Sequence, residues 1–175
     1  MLPFLKFKKT QINFLIVLGL VLFQLYMVTR CPSGLGMESL LAGQAFQRGA
    51  LPYRDFQMHV GPVVPLLFSA LFAVPALMWC SMVFSLFNLL TAWGIYKLSR
   101  RRFGELASYG AAALFLAAVP LFDGNAWHVE TVMTAFGVWA FYWAGTGRKK
   151  LAALMVLLAV LTKQTGIFYA ICLLG

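Results

Sequence analysis

The chain has 175 residues, 62% hydrophobic and 11% charged, with a mean hydropathy of +0.83 and a formal net charge of +9. Soluble domains carry about 25% charged residues, so the composition excludes an ordinary soluble enzyme and predicts an all-α, polytopic membrane helix bundle. Nucleic acid is excluded as a partner by placement: ten of the fourteen Lys and Arg form the clusters 6–9, 97–102 and 148–150, each beside an apolar run, as in cytoplasmic loops.

The first apolar run, 11–29, follows Lys6, Lys8 and Lys9. Bulky Met27-Val28-Thr29-Arg30 offers no small-residue cleavage site, so the run reads as an uncleaved signal anchor with its N-terminus inside. The loop 31–61 then lies outside and concentrates polar chemistry: Glu38, Arg48, Arg54, Asp55 and His59. Within it, 37–48 predicts a short interfacial helix, closed by Gly49 with Pro52 beyond. Tyr53 and Phe56 suit a head-group anchor, and a plain reading of 52–56 is a turn with a surface Arg54–Asp55 pair.

Segments 63–74 and 77–98 follow, and only one of them crosses if the basic cluster at 97–102 is to stay inside. The shorter, 63–74, is bracketed by Pro62, Pro65 and Pro75 and reads as a half-spanning helix. Further spans are expected at 105–121, 130–146 and from 151 onward, giving about five crossings. A second outer loop, 122–129, carries Asp123, Trp127 and His128, with Glu130 just beyond. On a helix, 123, 127 and 130 share a face. Four of the five acids thus fall on the outer side; Glu130 is either part of a polar helix end wetted by head groups or faces a cleft that the first loop also lines.

Lys163, in Leu161-Thr162-Lys163-Gln164-Thr165-Gly166, has two readings. It is either a mid-bilayer lysine that requires a partner or a residue in a polar break of the last helix. Cys31, Cys80 and Cys172 have no metal-ligand spacing and read as packing residues. The chain contains no Gly-rich phosphate loop, His-x-x-x-His pair, Cys-x-x-Cys or Ser-nucleophile elbow. No cofactor is implied, and metal dependence is left open.

Gly49-Ala50-Leu51-Pro52-Tyr53-Arg54-Asp55-Phe56 with Gly61-Pro62, the basic turn 96–104, and the 161–166 segment occur in an order that resembles the integral-membrane GT-C glycosyltransferases. The nearest branch is the protein mannosyltransferase and aminoarabinose transferase superfamily. The resemblance implies a hexosyl- or pentosyltransferase that moves a sugar from a polyprenyl-phosphate carrier to a lipid, glycan or protein acceptor. That donor, the acceptor and membrane lipids would be its partners. It implies a bacterial inner-membrane, multi-pass location with the site facing outside.

By the same resemblance, Glu38 and Asp55 are the catalytic candidates. Arg48, Arg54, Tyr53, His59, His128, Glu130 and Lys163 are donor-phosphate or substrate contacts. The family places an acid, often Asp, at the start of its loop helix, where this chain offers only Glu38. Family members are several hundred residues long, so the chain reads as a single N-terminal portion. The alternatives are a non-catalytic transporter-like or assembly subunit, and a relative that has lost catalysis.

Overall fold

A computed structural model describes residues 9–30, 37–72, 77–122 and 128–175. The described elements are helical: α1 (Lys9–Arg30), α2 (Met37–Gln47), α3 (Val63–Phe72), α4 (Leu77–Ser99), α5 (Glu105–Ala118), α6 (Val129–Gly145), α7 (Lys149–Thr162) and α8 (Ile167–Leu174). Short 3₁₀ turns occupy Val119–Phe122 and Gln164–Gly166.

Local chemistry accounts for the boundaries. Gly49, at φ 85°, leaves α2 through a left-handed conformation that costs glycine nothing. Pro62 and Pro65 stand at the start of α3, where backbone amides have no partner within the helix. Glu105 opens α5 with a negative charge at the positive end of the helix dipole. Pro120 falls in the 3₁₀ turn that ends it. Gly147, at φ 77°, reverses the chain between α6 and α7.

Two apolar clusters hold the helices together. Val64, Phe68 and Leu71 of α3 pack with Cys80 and Phe84 of α4 and with Val129 and Val132 of α6. Burial raises the Cys80 thiol pKa, in keeping with an inert packing residue. The second cluster joins Ala92 of α4 to Ala112 and Leu116 of α5, with Leu20 of α1 against it. Trp139 of α6 donates from its indole nitrogen to the Leu90 carbonyl at 3.1 Å, pinning α6 to α4. α2 is tied to α3 by Gln47 Nε2 donating to the Ser69 carbonyl at 2.6 Å.

The described residues fold as expected into helices, but the membrane part of the expectation requires a correction. Among the described residues, no helix is long and apolar enough to cross a membrane. The polytopic membrane bundle of about five spans is therefore overturned. With it go the multi-pass inner-membrane location, the cytoplasmic N-terminus, the outward-facing loops and the half-spanning role of 63–74.

The physical reason is interruption. The apolar run 105–121 breaks after 14 residues of α5, and the run from 151 breaks at Lys163 into helices of 14 and 8 residues. Fourteen residues rise only about 21 Å, against a hydrocarbon core of about 30 Å. α4 has 23 residues, but Ser81, Ser85, Asn88 and Thr91 divide its apolar surface. In α1, Asn13 and Gln24 bound the uninterrupted apolar stretch.

Candidate functional site

Three segments distant in sequence meet around the end of α7. The amide of Gly61 donates to the Thr162 carbonyl at 2.8 Å. A Cβ on Gly61 would sit closer than 3.0 Å to the carbonyl carbon and oxygen of Leu161, and 3.1 Å from the Thr162 nitrogen. Glycine is therefore required by close backbone approach here. The Gly61-Pro62 segment and the 161–166 segment, about a hundred residues apart, thus pack main chain to main chain.

At Lys163 the backbone turns extended, with φ −151° and ψ 141°, and α7 ends. Its side chain reaches across to α6 and donates from Nζ to Glu130 Oε1. Glu130 lies in the first turn of α6, where the helix dipole favours a carboxylate. His128 Nδ1 stands 4.0 Å from the other Glu130 oxygen. Burial pushes the Glu130 carboxyl pKa upward. The Lys163 hydrogen bond, Glu130's own amide and the charges of Lys163 and His128 outweigh it, so the net direction is down.

Beside this pair opens a cavity of about 330 Å³. Asn88 of α4, Phe115 and Ala118 of α5, and Glu130, Thr131 and Thr134 of α6 line it. Most of the lining is apolar; Asn88 and Thr131 are buried polar residues in it with partners of their own. The Glu130 carboxylate thus lines the cleft with one amide and two hydroxyl groups, and the Lys163 ammonium bonds to it from the end of α7. That chemistry suits an anionic group beside a hydroxylated one. Among the described residues, no group of His, Cys, Asp and Glu forms a metal-binding cluster.

The first loop is tied to the cleft's rim through Tyr53, whose hydroxyl donates to the Val60 carbonyl next to Gly61. Tyr53 itself adopts φ 66° in a tight turn, with its amide donating to the Phe56 carbonyl at 2.9 Å. Burial raises the pKa of its phenol, keeping the hydroxyl proton in place for that bond. Arg54 grips Asp55 with two hydrogen bonds of 2.8 and 2.9 Å. The second Asp55 oxygen also accepts from the Leu51 amide at 2.8 Å. Arg54, followed by the Leu51 amide, holds the Asp55 carboxyl below its usual range.

The structure thus brings together Lys163, Glu130 and His128, and links Tyr53 to the same rim. Arg54 and Asp55 are occupied with each other. Arg48 is exposed at the end of α2, and His59 is exposed beside buried Met58. Glu38 falls in the first turn of α2, but its side chain lies outside the described residues. Asp123 and Trp127, and with them most of the 122–129 loop, also lie outside them.

Asn88, Thr131 and Thr134 were not anticipated from sequence. The available signal was Asn88, a lone amide inside the apolar run Val83–Leu90. Compared with known proteins, the chain matches no family model, no curated protein and no solved structure.

Proposed function

We propose that the chain carries the cleft of a glycosyltransferase that moves a hexose or pentose from a polyprenyl-phosphate carrier to an acceptor hydroxyl. The observation that supports this reading is the contact of Gly61 with Leu161 and Thr162, beside the Lys163–Glu130 pair. Two segments singled out for their resemblance to one enzyme class, otherwise far apart, thereby meet beside the Glu130 cleft.

The chemistry follows from those groups. The donor phosphate competes with Glu130 for the Lys163 ammonium, and its arrival frees the carboxylate. The acceptor oxygen attacks the anomeric carbon, the bond from that carbon to the phosphate oxygen breaks, and the acceptor proton passes to Glu130. Polyprenyl phosphate leaves with its new charge held against Lys163. Thr134 offers a hydroxyl to the sugar, and Asn88 and Thr131 shape the cleft beside it. Asp55 is held by Arg54 and the Leu51 amide.

Transfer of radiolabelled sugar from a polyprenyl-phosphate-linked hexose or pentose tests this. Lys163→Met and Glu130→Gln should each reduce turnover about 100-fold. Full activity in both would remove the cleft from the reaction. A second, non-catalytic binding or assembly role is favoured by one observation: each described carboxylate, Asp55, Glu105 and Glu130, is ion-paired. Saturable donor binding without transfer by the parent chain would select that role.

A further inference from the structure

A second cavity, of about 470 Å³, lies between α1, α4 and α5, away from the Lys163–Glu130 cleft. Its walls are Leu20 of α1, Leu89, Trp93 and Tyr96 of α4, and Tyr109 and Leu116 of α5. The volume falls within the range of about 300–1,000 Å³ usual for small-molecule sites. Val17, Leu86 and Trp93, which also line it, are each about half exposed, so the groove is open along one side. Tyr96 lies about 12 Å further along α4 than Asn88 of the first cleft.

The walls are apolar except at one end. There Tyr96 and Tyr109 lie with ring centroids 4.7 Å apart. The Tyr109 phenol is pushed up by burial and by its hydrogen bond with Tyr96, so it remains a proton donor. Next to them, Lys97 Nζ stands 5.9 Å from the centre of the Trp93 ring. Arg100 follows, held only loosely by Glu105 at 3.7 Å. The turn beyond carries Arg101, whose guanidinium lies against Gly145 at the end of α6, and Arg102.

A greasy slot with a cationic, hydroxyl-lined mouth is complementary to one kind of ligand. We propose that the groove between α1, α4 and α5 binds the hydrocarbon of a single-chain amphiphile whose anionic head sits against Lys97 and Arg100. The chain replaces water on Leu20, Leu89 and Leu116, and binding strengthens with each methylene buried. The head group selects by charge. This site does not depend on glycosyl transfer and shares no lining residue with the first cleft.

Calorimetric titration of the full chain in detergent-free buffer tests it with three probes: dodecyl phosphate, dodecyl maltoside and inorganic phosphate. Dodecyl phosphate should bind at least about tenfold tighter than either of the others. Leu86→Asp and, separately, Val17→Asp, both at half-exposed positions, should weaken it about tenfold. Lys97→Gln with Arg100→Gln should erase the preference for phosphate over maltoside. Equal affinity for the two dodecyl probes, binding indifferent to both Asp substitutions, or no binding at all would overturn the assignment.

Discussion

Gly61→Ala is the sharpest perturbation of the contact that builds the cleft. The added methyl would press on the Leu161 carbonyl and lie 3.1 Å from the Thr162 nitrogen. All of these atoms are backbone at the end of α7, so no flexible side chain can swing aside. Forced overpacking costs about 1–3 kcal/mol. Separating the two segments also loses the Gly61-to-Thr162 hydrogen bond, worth about 1 kcal/mol. A total near 3 kcal/mol lowers Tm by about 6–12 °C in a chain of this size. Gly110→Ala is the matched control: nothing lies within 4 Å of its added methyl, and Gly110 is within α5. It should stabilise by about 0.5–1 kcal/mol. Thermal melts followed by circular dichroism compare the two. A Gly61→Ala melt within about 1 °C of the parent would refute the close approach and the cleft geometry built on it.

The Lys163–Glu130 pair is part exposed, so a double-mutant cycle with Lys163→Met and Glu130→Gln should give a coupling of only about 0.5–1 kcal/mol in chemical denaturation; zero coupling would contradict the pair. The Glu130 carboxyl titrates below its ordinary value of 4.5. Its contribution to stability is therefore complete above that pH and is lost as pH falls through the depressed folded value. The stability advantage of the parent over Glu130→Gln should shrink on acidification in that window, and an advantage that grows would reverse the sign. Phe84 is fully buried, with its ring 5.6 Å from that of Phe68, so Phe84→Ala should cost about 3–5 kcal/mol by denaturant titration.

Much of the helical punctuation was legible. Gly49, Pro62, Glu105 and Gly147 each carry a local reason to end or begin a helix, and local reasons survive in sequence. The membrane reading failed because an average hydropathy counts apolar residues wherever they fall. A crossing requires about 20 predominantly apolar residues in one helix, and the 14-residue α5 and α7 fall short. Lys163 illustrates the limit from the other side. Sequence offered a mid-helix lysine or a break, and the extended backbone at 163 selects the break. Its partner, Glu130, is 33 positions away. No periodicity encodes that pairing, because it arises from the packing of α6 on α7. The Arg54–Asp55 pair was readable as adjacent opposite charges. The Leu51 amide that also holds Asp55 was not, since it depends on how the turn closes.

The proposed role of the cleft is tested most directly by single-turnover sugar transfer. The purified chain, with a polyprenyl-phosphate-linked hexose or pentose and a soluble hydroxyl acceptor, is compared with Glu130→Gln and Lys163→Met. Transfer by the parent, with each variant slowed about 100-fold while its melt stays within a few degrees of the parent's, is the expected result. Equal transfer by the parent and both folded variants would contradict it.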